Sequence, residues 1–262
     1  MQIDLNADLA EGYGQWRIGD DNALLDVLSS ANLACGFHAG DPFIMEKTVK
    51  AALERGVDIG AHVGFPDKQG FGRRPMQIDL EELAAMVIYQ LGALEGIARA
   101  AGHRMTHMSF HGALGNMAAA DPTVAAPLVA AVARFNPGLI IASSTSRAIE
   151  HAATSCGLRV ATTFLADRAY DGLGLLVPRR LPNSVIHDEA KVLERVRQIL
   201  CDGTVTTYDG EDLPMRAHSI LLHGDTPGAI SLARKIRIEI EKAGGTVVPV
   251  SQLVSSSSGA ER

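Results

Sequence analysis

The stretch that decides the fold is HMSFHGALGN at residues 107–116, which places His107 and His111 four positions apart. On a helix this spacing would bring both imidazoles to one face, as in zinc proteases. The segment instead follows Gly102, a residue typical of a helix end, and runs into Gly112, which favours a strand. Four strand positions at about 3.3 Å each separate the two histidines by about 13 Å, so they cannot bind one metal ion together.

Apolar runs of strand length alternate with helical segments along the whole chain. The runs lie at 1–9, about 29–37, 57–62, 105–111, 138–143, 158–163, about 184–187, 218–223 and 246–250. Helix starts are marked by an Asp N-cap or by Pro at the first position, and they lie at Asp41 with Pro42, Asp79 with Glu82, Asp121 with Pro122, and Thr226 with Pro227. The alternation predicts an α/β protein with a mostly parallel sheet.

Seven or eight such units in 262 residues predict one closed, TIM-like β/α barrel of seven or eight strands, since these barrels run to roughly 250 residues. An open, doubly wound sheet is the alternative. We predict a single domain over residues 1–252 and a disordered tail over 253–262, which contains SSSSGAER.

Composition narrows the class of partner. A net charge of −6 and an aromatic content of 5% argue against nucleic acid, which needs basic and stacking surfaces, so small solutes are the expected ligands. The three scattered cysteines suggest neither a disulfide framework nor a zinc ribbon. The first residues do not resemble a signal peptide, and no apolar run reaches the ~20 residues of a membrane span. We therefore expect a cytoplasmic protein without membrane contact, in which apolar helix faces would permit a homo-oligomer.

Four predicted strands end in histidine with glycine next or next but one. These ends read ACGFHAGD, IGAHVGF, MSFHGAL and LLHGDTP, and their histidines are His38, His62, His111 and His223. A lone histidine at such a position is more often a packed, hydrogen-bonded residue than a catalytic one. Because the carboxyl ends of parallel barrel strands converge on one mouth, four of them favour an active site there.

The first strand adds acids to the same picture. In IDLNADL, residues 3–9, the polar Asp4, Asn6 and Asp8 alternate with apolar residues. A half-exposed strand with a solvated face is one interpretation. In a parallel barrel that face is interior, where carboxylates need cations, donors or a metal, and Asp4, Asn6 and Asp8 are then candidate catalytic residues. Whether a metal binds is left open, and its candidate ligands are Asp8, His38, His62 and His111.

Two loops and one helix start are suited to anions. DKQGFGRRP, residues 67–75, carries Arg73 and Arg74, and residues 166–180 carry a second set, Asp167, Arg168, Tyr170 and Arg179. Arginine suits bidentate recognition of carboxylate or phosphate, although ordinary surface charge is the alternative for each one. His223 and Asp225 precede a predicted helix N-terminus, which also favours an anion.

Seven motifs together resemble the LamB/YcsF family of 5-oxoprolinase A subunits. They read DLNADLAEGYG, SANLACGFHAGDP, GAHVGFPDKQGFGRR, YQLGAL, HGALGN, LADRAYDGLGLLVPR and HGDTPGA. The resemblance extends from residue 2 to about residue 250. It implies a barrel of the glycoside hydrolase/deacetylase type and ATP-dependent opening of the lactam of 5-oxo-L-proline to L-glutamate, with partner B and C subunits.

The resemblance also implies roles for individual residues. Asp8 or His38 would be the general base, His62 and His111 would polarise or protonate the substrate, and Arg73 or Arg168 would hold an anionic group. ATP, with Mg²⁺, would be the cofactor, and no resident metal is predicted with it. Further substrate-binding candidates within the shared motifs are Glu11, Asp41 and Asn116.

Departures from the family pattern keep two alternatives open. Where relatives typically read KPHGALYN, this chain has Ser109 for the lysine, Phe110 for the proline and Gly115 for the tyrosine. If that lysine neutralises carboxylate or phosphate, Ser109 cannot replace it. One alternative is therefore a metal-dependent, deacetylase-like hydrolase, and the other is a non-catalytic ligand-binding or assembly subunit.

Overall fold

Seven parallel strands close into a barrel in the computed structural model of this chain, which describes residues 1–224 and 228–254. The strands in chain order are β1 (Gln2–Leu9), β2 (Ser30–Ala34), β3 (Asp58–Val63), β4 (Met105–Phe110), β5 (Ile140–Ser143), β6 (Arg159–Leu165), β7 (Thr204–Thr206), β8 (Asp212–Pro214), β9 (Ser219–Leu222) and β10 (Thr246–Val247). Around the barrel the order is β1, β2, β3, β4, β5, β6 and β9. Since β9 pairs with both β6 and β1, the predicted barrel is confirmed and the open sheet is excluded.

The helices surround the barrel and follow its strands. They are α1 (Asp21–Leu25), α2 (Pro42–Arg55), α3 (Leu80–Ala100), α4 (Gly112–Ala120), α5 (Pro122–Phe135), α6 (Arg147–Ser155), α7 (Glu189–Cys201), α8 (Ala229–Lys242) and α9 (Val250–Leu253). The predicted aspartate caps are confirmed at Asp41, Asp79 and Asp121, whose side chains accept hydrogen bonds from first-turn N–H groups. The Thr226–Pro227 helix start lies outside the described residues.

Helix α3 is long and apolar enough, by length and composition, to cross a membrane, as are α4 and α5 if that bent pair is counted as one span. Its buried side chains include Leu83, Val87, Leu91 and Leu94. The helix packs against α5 and against β3 and β4 of the barrel. These contacts are those of a barrel helix covering the core.

Three predicted strand boundaries need correction. The run at 184–187 is not a strand, because Val185 forms only an isolated bridge with Arg168 within an irregular segment between β6 and α7. The run at 29–37 forms a strand only to Ala34, so His38 lies in the following loop. The run at 246–250 is the two-residue β10, which pairs with β1 and leads into α9.

The antiparallel β7–β8 pair was not predicted.

The predicted tail begins at residue 253, but Leu253 ends α9 and Val254 packs near Ile140. The rest of the predicted tail, residues 255–262, lies outside the described residues.

Polar side chains of β1 point into the barrel at three successive levels. All of β1 except Gln2 is buried. Asp4 contacts hydroxyl groups near the base, Asn6 Nδ2 donates to Asn32 Oδ1 at 3.4 Å, and Asp8 accepts from Asn32 Nδ2 at 2.9 Å. The predicted interior face of β1 thus carries polar groups that bond to neighbouring strands, and Asp8 lies nearest the carboxyl mouth.

Candidate active site

A cavity of about 520 Å³ lies at the carboxyl mouth of the barrel. Strand ends contribute Asp8, Asn32, His62, Ser109 and His223 to its wall. The loops and α4 add polar residues, which include Arg73, Asn116, Arg168, Arg179 and Arg180. The cavity therefore combines carboxylate, imidazole and guanidinium groups, which is the composition expected of a site for an anionic substrate.

A chain of hydrogen bonds joins two of the strand-end histidines to Ser109. His111 Nε2 lies 2.7 Å from the carbonyl oxygen of Phe71, and His111 Nδ1 lies 2.9 Å from His62 Nε2. His62 Nδ1 lies 2.6 Å from Ser109 Oγ. Because a carbonyl oxygen only accepts, neutral His111 carries its proton on Nε2 and its Nδ1 accepts from His62 Nε2–H. Nδ1 of neutral His62 is then left as an acceptor for the Ser109 hydroxyl.

Asp8 is held as a carboxylate beside this chain. Its Oδ1 lies 3.4 Å from His62 Nε2 and accepts from Asn32 at 2.9 Å. Burial would raise the pKa of Asp8, but the charge and hydrogen bond of His62 outweigh it and hold that pKa well below its ordinary value. Asp8 therefore supplies a fixed negative charge next to His62.

His38 lies face to face with His111 on the outer side of this group. The two ring centroids are 3.8 Å apart with planes inclined by 7°, and His38 Nε2 lies 3.6 Å from Glu11 Oε1. Burial, followed by the neighbouring His111 and His62, lowers the pKa of His38 well below its ordinary value. Among the described residues, neither ring nitrogen of His38 has a hydrogen-bond partner.

Four side chains here could offer donor atoms to a metal ion. One atom each from Glu11, His38, His62 and His111 lies within 4.8 Å of the others, and all four residues are buried. Imidazole lone pairs lie in the ring plane, however, and the rings of His38 and His111 are nearly parallel. One ion cannot lie in both planes at bonding distance, about 2.0–2.1 Å for zinc. The full set in this arrangement does not fit a single ion, and no chemical step below is routed through one.

A second acid and imidazole pair lies at the same cavity, which His223 and Arg179 line. Asp167 Oδ2 lies 2.7 Å from His223 Nδ1, and His223 Nε2 lies 3.1 Å from Arg179 Nη2. Against the effect of burial, His223 lowers the pKa of Asp167, and Asp167 raises the pKa of His223. The Asp167 carboxylate thus fixes the ring of His223 through Nδ1.

Arg168 connects the cavity wall to the irregular segment after β6. Its Nε donates to the carbonyl of Ser184 at 3.1 Å and its Nη2 to that of Val177 at 2.7 Å. Burial, followed by the charge of Arg179, lowers the pKa of Arg168 to about 10. Arg168 stays a cation at neutral pH, so the wall near it remains positively charged.

Several predicted site residues lie away from the cavity or hold structure instead. Asp4 and Asn6 lie deeper in the barrel, and Asp41 caps α2. Arg74 forms an ion pair with Asp67. The buried Tyr170 accepts a hydrogen bond at its hydroxyl from the N–H of Leu165 at 2.8 Å. Glu11 lies beside His38, Asn116 lines the cavity, and Asp225 lies outside the described residues.

Two cavity residues that contact predicted site residues were not themselves predicted. Asn32 holds Asp8 from β2, and the sequence shows it only as an asparagine within SANLACG. Ser109 is notable in the sequence only because it replaces the lysine of the family pattern, yet its hydroxyl is in direct contact with His62. The signal available for both is their place on the inward face of a strand that ends at the mouth.

These features define a TIM-like β/α-barrel protein with a polar cavity at the face where such barrels carry their active sites. The chain belongs to the LamB/YcsF family, whose sequence model matches residues 3–255. It is 66% identical over 252 residues to the 5-oxoprolinase A subunit numbered 2 in Ralstonia nicotianae, covering 96% of this chain and 97% of that protein.

Two further comparisons agree over nearly full length. The chain is 65% identical over 256 residues to the 5-oxoprolinase A subunit numbered 1 in Pseudomonas syringae pv. tomato, covering 98% of this chain and all of that protein. The crystal structure of the lactam utilization protein from Thermus thermophilus superposes with a TM-score of 0.88 at 40% identity, covering 95% of this chain and 99% of that one.

Proposed function

We propose that this chain is the A subunit of an ATP-dependent 5-oxoprolinase, which opens the lactam of 5-oxo-L-proline to L-glutamate together with B and C subunits in the cytoplasm. The names of the relatives at 65–66% identity over nearly the whole chain support this activity. The observation that carries it in the structure is the mouth cavity, in which Asp8 and His62 face the arginine-lined wall.

The cavity offers the groups that this reaction requires. Amide hydrolysis needs proton transfer to the leaving nitrogen and from the attacking nucleophile, and His62 lies beside the ionised Asp8 for that task. The substrate carries a carboxylate, and Arg73, Arg168 and Arg179 line the same cavity. Guanidinium groups also suit the phosphates of ATP, which with Mg²⁺ would serve as co-substrate.

The test is glutamate release from 5-oxoproline by this chain co-purified with its B and C partners, with and without ATP. ATP-dependent release by the unaltered chain, lost in Asp8→Asn and kept in Arg74→Ala, is the expected result. No release by the unaltered chain, with release by Ser109→Lys, would mark a ligand-binding subunit that has lost the lysine of the family pattern. No release by either would contradict the assigned substrate.

A metal-dependent hydrolase is the second candidate, and one observation favours it. His38 is buried, its ring nitrogens have no hydrogen-bond partner among the described residues, and it lies within a group of four potential ligands. A reorientation of its ring would be required to use them together. Elemental analysis of the purified complex separates the two candidates, because a stoichiometric transition metal that is retained in dialysis and lost in His38→Ala would favour the second one.

A further inference from the structure

We infer that Ser109 is the nucleophile of this site and that His62 is its general base, so that hydrolysis proceeds through an ester on Ser109. The inference rests on the proposed function insofar as the substrate is a cyclic amide. It assigns a catalytic role to a residue at which this chain departs from the pattern of the family that it resembles.

The hydrogen-bond geometry gives the Ser109 hydroxyl the direction that a nucleophile needs. The carbonyl of Phe71 fixes the proton of His111 on Nε2, and His111 Nδ1 then fixes the proton of neutral His62 on Nε2. The remaining lone pair of His62, on Nδ1, faces Ser109 Oγ at 2.6 Å. The serine therefore donates its proton to an imidazole whose tautomer is set, through His111, by a backbone carbonyl.

The charge at the other side of His62 completes the arrangement. When His62 takes the Ser109 proton it becomes an imidazolium, and Asp8 Oδ1 lies 3.4 Å from its Nε2. Asp8 is itself held in place by Asn32 at 2.9 Å. A serine hydroxyl on an imidazole whose far nitrogen lies near a carboxylate resembles the constellation that activates a hydroxyl group on several unrelated folds. Here His62 Nε2 donates to His111, and Asp8 acts on the imidazolium through its charge.

Access to Ser109 comes from the mouth cavity, whose wall includes Ser109, His62 and Asp8. Gly115 also lines that wall, and a Cβ at Gly115 would lie 2.5 Å from the carbonyl oxygen of Phe110. A tyrosine at 115, as the family pattern has it, would require the turn between β4 and α4 to move. The departures at 109 and 115 thus both line the cavity, and the first of them supplies a hydroxyl group.

The covalent steps balance with water alone. Ser109 Oγ bonds to the lactam carbonyl carbon as its proton passes to His62 Nδ1, the ring C–N bond breaks, and the leaving nitrogen takes that proton to become an amine. Water then attacks the ester carbon, its proton passes to His62 Nδ1, and Ser109 Oγ leaves and recovers a proton. The sum is lactam plus water giving the open amino acid, and the hydrolysis of ATP, which the proposed function couples to this sum, takes place outside the two steps at Ser109.

The first test labels the serine without using substrate or ATP. The full chain is incubated with an alkyl fluorophosphonate, and intact mass with peptide mapping locates the adduct. We expect one adduct, on Ser109, absent in Ser109→Ala and formed at least about a hundredfold more slowly in His62→Gln, since general-base assistance contributes roughly 10²–10⁴-fold. Ser144→Ala is the matched control, because Ser144 lines the same cavity, and it should label at the original rate. Circular dichroism melting checks that each variant is folded.

Labelling of Ser109 at an unchanged rate in His62→Gln, or absence of the adduct from the folded chain, would overturn the inference. The second test is a rapid acid quench of the complex turning over 5-oxoproline. The expected Ser109 peptide gains the mass of one whole lactam, because ring opening expels no group. Glutamate release that persists in Ser109→Ala would refute the serine role while sustaining the proposed function. Fluorophosphonate labelling without any 5-oxoproline adduct or glutamate release would support the serine and contradict the assigned substrate.

Discussion

Asp4 and Asp8 lie on the same face of the same strand, yet their surroundings shift their pKa values in opposite directions. Asp4, near the base of the barrel, accepts hydrogen bonds from Ser29 at 2.7 Å and Ser219 at 2.6 Å, and burial raises its pKa to about 6. Asp8, at the mouth, lies beside His62, which lowers its pKa against the same effect of burial. The difference is the partner: neutral hydroxyl groups only partly offset desolvation, whereas an imidazole that can carry positive charge outweighs it.

The comparison separates a structural layer of the barrel from a chemical one. Hydroxyl partners such as Ser29 and Ser219 satisfy a buried acid without providing a group that can exchange protons near neutral pH. Histidine partners provide that group, and at the mouth they also open onto the cavity. Polar residues with identical spacing on β1 therefore differ in role with depth.

The largest expected effect separates the two aspartates directly. Asp8→Asn should lower glutamate release by roughly 10²–10⁴-fold, since it removes the charge that stabilises protonated His62. Asp4→Asn should change it by less than about threefold, because Asn keeps an acceptor for one of the two serine hydroxyls. Steady-state assays of the complex at neutral pH measure both. Equal losses in the two variants would break the comparison and place Asp4 in the catalytic group.

The second expected effect concerns the other acid and imidazole pair of the mouth. In Asp167→Asn the pKa of His223 should fall, because the carboxylate 2.7 Å from its Nδ1 is what raises that pKa against burial. NMR titration of the His223 ring protons measures the change, with His103, which lies outside the cavity wall, as the internal reference. A value for His223 that does not move would show that Asp167 does not control this ring.

The third expected effect compares two adjacent arginines. Arg73→Ala should raise the KM for 5-oxoproline roughly tenfold, about 1.4 kcal/mol, because Arg73 lines the cavity. Arg74→Ala should leave KM unchanged, since Arg74 pairs with Asp67 and its side chain is largely exposed. Initial-rate measurements over a range of substrate concentrations test this. A larger KM change in Arg74→Ala than in Arg73→Ala would mean that the loop is held differently in the working complex.

The barrel could be predicted from the sequence because its signals are local. Helix caps at Asp41 and Asp121 and the strand ends at His62 and His111 each depend on a few neighbouring residues, and all four lie where predicted. The false strand at 184–187 shows the limit, because its backbone pairs with residues 167–169 of the same irregular segment, as in the bond from Ile186 N–H to the carbonyl of Asp167 at 2.8 Å, rather than with a barrel strand. Periodicity alone does not distinguish these two situations.

The candidate site was harder to predict, for a related reason. Convergence of strand ends follows from parallel topology, and His62, His111 and His223 lie at the ends of β3, β4 and β9, whereas His38 lies in the loop after β2 with its ring stacked on that of His111. The pairing within the mouth depends on side-chain contacts between distant segments, such as Ser109 with His62, 47 positions apart. The sequence therefore indicated which residue types gather, and the contacts decide which of them act together.

The last expected effect, the smallest on turnover, comes from Asp4. It concerns how the free energy of unfolding depends on pH. Its pKa is raised from 3.8 to about 6 in the folded state, so the native protein binds a proton that the unfolded chain releases. That contribution to stability is fully present below pH about 4 and is lost as pH rises through about 6, a change of roughly 3 kcal/mol. In Asp4→Asn this part of the dependence should vanish. Urea unfolding between pH 4.5 and 7 measures it, as a wild-type free energy of unfolding that falls relative to the variant with rising pH. Asp8, whose pKa is lowered, contributes with the opposite sign, because its share of the free energy of unfolding is lost as pH falls below about 4. Parallel curves for wild type and Asp4→Asn would contradict the prediction. They would show that the pKa of Asp4 is not raised in the folded protein and that the two aspartates do not differ in this way.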